Sequence, residues 1–150
     1  MANKLLWVVC LEVSIMNIQY KFLQYDIDLE LKTKLTIVGG DSGTGKTFLA
    51  ETIKAIQEQP GISSQVFIIS SQADLISLNS HKEPVVIVDK MEQFTTSDEI
   101  LEYIRKNSDR WFIIFLRGDN SIPFGLRNLA DLSIQEVNGL FRFRFNYLMG

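Results

Sequence analysis

The stretch Leu35–Gln57, "LTIVGGDSGTGKTFLAETIKAIQ", joins an apolar run to a helix-like pattern through a cluster of glycines. The aliphatic residues before Gly39 predict a short strand. The apolar spacing after Lys46 predicts a helix with one apolar face, made by Phe48, Leu49, Ile53 and Ile56. Glycines between them allow positive φ, so that successive backbone N–H groups can turn toward one ligand. This strand–loop–helix unit decides the predicted fold class, because the rest of the chain must supply the strands that pair with it.

The loop fits the pattern G-x-x-x-x-G-K-[ST] over eight consecutive residues: Gly40, Asp41, Ser42, Gly43, Thr44, Gly45, Lys46 and Thr47. Backbone N–H groups of such a loop, together with the positive end of the following helix, attract phosphate oxygens. A lysine in this position reaches the β- and γ-phosphates, and the next hydroxyl binds Mg²⁺. The pattern predicts a site for a nucleoside triphosphate and Mg²⁺, and a purely structural glycine turn is the alternative.

The segment "GGDSGTGKT" resembles the Walker A motif of the P-loop NTPase superfamily. The resemblance is specific over Leu35–Gln57 and looser over the core to about Asn120. In that family a second strand ends in an aspartate that binds Mg²⁺, and "VVIVDK" places Asp89 there. The resemblance therefore implies a three-layer α/β fold and an ATP site, with Thr47 and Asp89 as metal ligands. A helix cap or a surface turn is the alternative for the aspartate.

The chain departs from this family beside the second motif. Many of its ATPases place a glutamate directly after the aspartate, where this chain has Lys90, and a charged lysine cannot accept a proton from water. Glu92 is the candidate catalytic carboxylate, with a solvated loop residue as its alternative. AAA-like ATPases sense the γ-phosphate with a polar residue at the end of a neighbouring strand. Arg117 in "WFIIFLRGDN" is the candidate sensor and transition-state cation, beside Asp119 and Asn120.

The remaining patterns predict an α/β domain with a mostly parallel sheet. Residues 18–31 alternate apolar and polar side chains, which indicates antiparallel strands with one exposed face. The runs "QVFIIS", "PVVIVDK" and "WFIIFLRG" indicate parallel strands that helices cover on both faces, and Thr96-x-x-Glu99 indicates a helix start. Asn138-Gly139 predicts a final hairpin at or near the sheet edge. Antiparallel strands are thus expected at both ends of the chain.

Length and composition predict one domain over 1–150, and the P-loop resemblance implies that this domain binds a nucleotide. Its expected parts are N-terminal strands in 1–33, a core in 34–120, and a loop with the hairpin in 121–150. Residues 1–15 suit a buried strand, and their membership of the domain stays open. The single cysteine, Cys10, and the lack of an apolar run of about 18 residues predict a cytoplasmic protein without a membrane partner.

The net charge of −3 provides no global basic field for nucleic acid. The run Phe141–Phe145, "FRFRF", keeps nucleic acid as a weaker alternative, because aromatic and arginine side chains can stack on bases. The favoured interpretation is that its phenylalanines share one buried face of the sheet.

Missing motifs narrow the predicted activity. The chain has no N-K-x-D motif, which disfavours a GTPase, and no L-S-G-G-Q motif, which disfavours a complete ABC ATPase. The resemblance implies a slow or partner-activated ATPase, in which a protein partner or self-association completes the active site. A nucleotide-dependent binding module without hydrolysis and a small phosphotransferase are the alternatives.

Overall fold

A computed structural model describes residues 15–40, 44–117 and 126–148. This part of the chain contains eight strands: β1 (Met16–Phe22), β2 (Tyr25–Leu31), β3 (Leu35–Val38), β4 (Val66–Ile69), β5 (Val85–Val88), β6 (Trp111–Phe115), β7 (Leu129–Val137) and β8 (Leu140–Tyr147). Its three α-helices are α1 (Lys46–Gln57), α2 (Gln72–Ile76) and α3 (Ser97–Lys106). The predicted N-terminal strand in residues 1–14 lies outside the described residues.

All eight strands form one sheet in the order β1-β2-β8-β7-β3-β6-β5-β4. The pairs β1–β2 and β7–β8 are antiparallel, and the five other neighbouring pairs are parallel. The α/β class is confirmed, and the sheet is mixed. Strands from all three predicted parts of the chain share this sheet.

Helices cover both faces of the half that contains β3, β6, β5 and β4. On one face, Leu49 and Ile53 of α1 pack with Val38 and Ile113. Adjacent strand residues point the opposite way, as period two requires, and pack with Leu75 of α2 and Ile100 of α3. The prediction of buried strands between helices is therefore confirmed. Because these strands are parallel, their carboxyl ends meet at one edge of the sheet.

In the described part of the chain, the other half of the sheet packs one face against the core that α1 covers. Phe143 is fully buried in that core, and Phe141 and Phe145 pack against it. The intervening Arg144 points the other way and donates a hydrogen bond to Asp26 Oδ2 at 3.0 Å. The interpretation that the phenylalanines share a buried face is confirmed.

The C-terminal hairpin forms as predicted but not where predicted. Asn138 and Gly139 have φ of 54° and 79°, the two positive values of a tight turn whose twist matches the flanking strands. The location at or near the sheet edge is wrong, because β8 also pairs with β2 and β7 also pairs with β3. The turn signal specifies pairing within the hairpin, whereas the free edges of β2 and β3 decide its place.

Two helices differ from the sequence prediction. The apolar stripe of α1 was expected to include Phe48, but this side chain is 40% exposed. Its ring nevertheless packs at the edge of the core, with its centroid 5.6 Å from that of Phe143 and 6.2 Å from those of Tyr25 and Phe141. The short helix α2 was not predicted, although Ser71 accepts a hydrogen bond from the Asp74 N–H as a helix cap does. No helix in the described part of the chain is long and apolar enough to cross a membrane.

The last residue of α1 ties the helix to strand β4. The Gln57 side chain accepts a hydrogen bond from the Val66 N–H and donates one to the Val66 carbonyl, both at 2.9 Å. It also accepts a hydrogen bond from the Tyr20 hydroxyl at 2.8 Å. Burial raises the pKa of Tyr20 above its ordinary value, which keeps this donor protonated. These contacts fix the angle of α1 over the sheet, and so the position of its N-terminus.

Candidate functional site

The glycine loop follows β3 and leads into α1 at the carboxyl edge of the sheet. Gly40 and Gly45 have φ of 107° and 96°, a region that favours glycine. A Cβ atom on Gly45 would also lie only 2.3 Å from Cδ1 of Ile134. The backbone conformation thus favours glycine at position 45, and a larger residue would also have to displace the end of the Ile134 side chain. The predicted loop residues Asp41, Ser42 and Gly43 lie outside the described residues.

The N-terminus of α1 has no side-chain cap among the described residues. The residue at the cap position is Gly45, and the first helical turn contains no acidic side chain. The first N–H groups of a helix have no partner within the helix, and the macrodipole places partial positive charge there. This helix end therefore favours an anion.

Lys46, the first residue of α1, directs its ammonium group over the loop. Its side chain is largely buried, and Nζ donates hydrogen bonds to the carbonyl oxygens of Gly40 at 2.7 Å and Gly39 at 3.4 Å. A full positive charge thus lies beside the loop and the helix N-terminus. The Lys46 charge and the helix N-terminus would both attract a phosphate group.

Thr47 and Asp89, which are 42 residues apart in the chain, come into contact. The Thr47 hydroxyl lies 3.1 Å from Asp89 Oδ2 and donates a hydrogen bond to it. Asp89 directly follows β5, is 6% exposed, and its own N–H donates to the Ile69 carbonyl at 2.8 Å. A buried carboxylate and a hydroxyl therefore converge at the start of α1.

This pair of oxygen donors fits Mg²⁺, which is usually held by one or two carboxylates together with substrate phosphates and water. The described residues contain no group of three or more His, Cys, Asp or Glu side chains that could hold a metal. A metal that takes some of its ligands from the phosphate oxygens of a bound nucleotide does not need such a group. The donor set suits a metal–nucleotide complex better than a metal held by protein alone.

The residues after Asp89 turn sharply toward the end of β6. Lys90 adopts the left-handed conformation, with φ of 58°, and a short 3₁₀ helix follows at Met91–Gln93. Glu92 is exposed, and its Oε1 accepts a hydrogen bond from the Arg117 N–H at 2.9 Å. Glu92 is thus an anchored side chain at the surface. Asp119 and Asn120 lie outside the described residues.

A cavity of about 570 Å³ joins these elements, a size that suits a small ligand. It is lined by residues 44–48, 89–90, 92–93 and 115–117. The cavity brings together seven of the predicted site residues: Thr44, Gly45, Lys46, Thr47, Asp89, Glu92 and Arg117. Gly40 lies behind it, under the Lys46 ammonium group.

The sequence patterns did not assign Phe48, Gln93 or Leu116 to the site, although all three line this cavity. Phe48 and Gln93 line it without any motif to mark them, and Leu116 enters it at the end of β6. Phe48 could have been suspected, because it directly follows the motif threonine. No protein-family model and no curated protein matches this chain.

Proposed function

We propose that this chain is a P-loop domain that binds Mg·ATP and acts as a slow or partner-activated ATPase. The contact between the Thr47 hydroxyl and the Asp89 carboxylate carries the proposal. It joins two separately predicted motifs at a helix N-terminus that lacks a described side-chain cap. The nearby Lys46 ammonium group adds the cation that a triphosphate requires.

Each residue of the site has a distinct proposed role. Backbone N–H groups between Gly40 and Thr47 hold the phosphates, and Lys46 neutralises their negative charge. Thr47 and Asp89 hold Mg²⁺, which supplies further neutralisation of charge on the phosphate oxygens. Arg117, exposed at the end of β6 and lining the cavity, supplies the cation that senses the γ-phosphate.

The arrangement of strands supports the finer proposal of a three-layer P-loop fold. Strand β6 lies between β3, which precedes the glycine loop, and β5, which precedes Asp89. The carboxyl ends of all three strands therefore open on the same edge, where parallel α/β sheets bind ligands. The helices on both faces leave that edge accessible.

A binding module without hydrolysis is the second candidate, and two observations favour it. Lys90 occupies the position where a general base is expected after Asp89. Glu92, the nearest alternative, already accepts a hydrogen bond from the Arg117 backbone. Efficient phosphate release by the isolated chain would exclude this candidate. Turnover that rises with protein concentration would instead favour an ATPase completed by self-association.

The test is Mg²⁺-dependent ATP binding and phosphate release by the wild type and Lys46→Ala. We expect Lys46→Ala to lose about 100-fold in ATP affinity, ~2.7 kcal/mol, and all measurable phosphate release. Lys106→Ala, which removes an exposed lysine at the end of α3, is the matched control and should match the wild type. Circular dichroism checks that both variants fold, and Thr47→Ala provides a second test of the site.

Wild-type protein that binds no ATP would contradict the proposal. Equal ATP affinity in wild type and Lys46→Ala would also contradict it. Binding without phosphate release would retain the nucleotide site and favour the module.

A further inference from the structure

A second cavity, of about 370 Å³, meets the first one at the proposed metal ligands. It runs as a groove between α1 and the edge strand β4, and Thr47, Asp89 and Lys90 line both cavities. A nucleotide in the first cavity would leave this groove on the opposite side of the Thr47–Asp89 pair. The groove is thus placed to hold whatever attacks the bound phosphate.

Glu51 projects into this groove from the turn of α1 that follows Thr47. Residues four apart on a helix have Cβ atoms about 5–6 Å apart. Helical side chains also lean toward the N-terminus, so a long side chain covers the turn before its own Cα. Glu51 therefore lies one helical turn after Thr47, and both residues line the groove together with Asp89.

Two other carboxylates of the two cavities accept hydrogen bonds, whereas Glu83 Oε2 is buried without a hydrogen-bond partner. Glu92 accepts from the Arg117 N–H at 2.9 Å, and Asp74 accepts from the Ser70 N–H at 3.0 Å. Glu83 lies 3.6 Å from the His81 ring nitrogen. Glu51, by contrast, is exposed and makes no hydrogen bond or ion pair with any described residue. Its oxygens are therefore open to a nucleophile in the groove.

We propose that Glu51 is the general base for a hydroxyl nucleophile that occupies this groove. This inference rests on the proposed Mg·ATP site. The nucleophile's oxygen forms a bond to the γ-phosphorus, and the bond from that phosphorus to the β–γ bridging oxygen breaks. ADP leaves with those electrons, and the nucleophile's proton passes to the Glu51 carboxylate. This arrangement removes the need for a base directly after Asp89.

The groove's charge limits the source of that hydroxyl. Carboxylates of Glu51, Asp74, Glu83 and Asp89 line it, against the two ammonium groups of Lys54 and Lys90 and the His81 ring. An anionic acceptor is disfavoured by this excess of negative charge. The nucleophile is water or the hydroxyl of an uncharged or cationic small molecule, and the test separates these sources.

The experiment compares the wild type with Glu51→Gln, Glu92→Gln and the control Glu58→Gln. Glu58 is an exposed residue at the end of α1 that lines neither cavity. The first readout is the equilibrium affinity for Mg·ATP. The second is retention of labelled Mg·ADP in the presence of aluminium fluoride, which mimics the transferring phosphoryl group with its nucleophile in line. The third is the fate of labelled γ-phosphate in water alone, and with glycerol, glucose or ethanolamine added.

We expect Glu51→Gln to bind Mg·ATP within about twofold of the wild type, because the carboxylate does not contact the bound phosphates. Trapping of ADP with aluminium fluoride should fall at least about tenfold, and phosphoryl transfer about 10²–10⁴-fold, the usual contribution of a general base. Glu58→Gln should match the wild type in all three readouts. Label recovered as inorganic phosphate would identify water as the nucleophile. Label recovered on an added compound would identify the chain as a phosphotransferase.

Wild-type trapping and transfer by Glu51→Gln would overturn the inference. Loss confined to Glu92→Gln would overturn it as well, and would assign the base to the other cavity. A wild type that binds Mg·ATP but neither traps ADP nor transfers phosphate would overturn the inference while leaving the proposed binding site intact. Absence of Mg·ATP binding would overturn both proposals.

Discussion

The N-termini of α1 and α3 show two opposite ways of starting a helix. At α3, the Thr96 hydroxyl accepts a hydrogen bond from the Glu99 N–H at 3.2 Å, and the first turn contains Asp98 and Glu99. At α1, the cap position is Gly45, and the first turn begins with a cation and a hydroxyl. The start of α3 is capped by its own side chain, whereas the start of α1 has no side-chain cap among the described residues.

The difference follows from what surrounds each helix end. Thr96, at the start of α3, is exposed, so side chains that complement the macrodipole stabilise it directly. The start of α1 faces a cavity of about 570 Å³ beside a buried aspartate. The first N–H groups of α3 thus contribute to stability through their own cap, whereas those of α1 are proposed to bind an anion. Changes at the two ends should separate these effects.

The largest expected effect comes from the carboxylate beside α1. Asp89→Asn should lower Mg²⁺-dependent ATP affinity by about 100-fold, ~2.7 kcal/mol, because an amide is a weaker Mg²⁺ ligand. The asparagine oxygen can still accept from Thr47, so the fold should persist. Titration calorimetry with and without Mg²⁺ measures the loss. Asp98→Asn in α3 is the matched control, and equal losses in both variants would contradict the assigned metal role.

The second effect concerns the glycine that begins α1. Gly45→Ala should lower the free energy of unfolding by about 2 kcal/mol, since it combines left-handed strain with a Cβ that displaces Ile134. Gly61→Ala is the control, because Gly61 also has positive φ but nothing within 4 Å of the added Cβ. It should cost only about 1 kcal/mol. Denaturant unfolding measures both, and equal costs would show that the Ile134 contact relaxes freely.

A third change makes the start of α1 resemble that of α3. Thr44→Asp places a carboxylate just before Gly45, where it should lower ATP affinity about tenfold, ~1.4 kcal/mol, by repelling phosphate. Stability should hold or rise slightly, because the new charge complements the macrodipole. Ser97→Asp, at the start of α3, should leave ATP affinity unchanged. Unaltered affinity in Thr44→Asp would argue that α1 does not face the phosphates.

The smallest effect is expected at α3. Thr96→Ala should lower the free energy of unfolding by about 1 kcal/mol, the usual cost of losing a helix cap. ATP affinity should stay at the wild-type value, because α3 packs on the opposite face of the sheet from α1. Thermal unfolding and calorimetry on the same preparation test both statements. A change in ATP affinity would show that the two helix ends are coupled.

Much of the fold was readable from local patterns. The α/β class, the buried runs at β4, β5 and β6, the turn at Asn138-Gly139 and the cap at Thr96 all follow from residues close together in the chain. The hairpin's place inside the sheet did not follow, because pairing with β2 and β3 depends on distant strand edges. The packing of Phe48 did not follow either, because its ring contacts distant residues, Tyr25, Phe141 and Phe143.

The candidate site shows the same division. The sequence motifs identified Lys46, Thr47 and Asp89 as candidates. They did not show that Thr47 and Asp89 lie close together in space. Glu92 was marked only by its place after Asp89, and its hydrogen bond to Arg117 joins two separate strand ends. Glu51 belongs to no sequence motif. It is a candidate only because it lines the groove between α1 and β4.

The sequence by itself determined the glycine loop, the strand and helix on either side of it, and the residue types available for phosphate and Mg²⁺. These properties depend on backbone freedom and on spacing within one helical turn, which neighbouring residues set. Only the tertiary structure decided that Thr47 meets Asp89 and that Glu92 anchors the Arg117 backbone. Those contacts depend on strand order, because it is the position of β6 between β3 and β5 that brings residues far apart in the chain to one edge of the sheet.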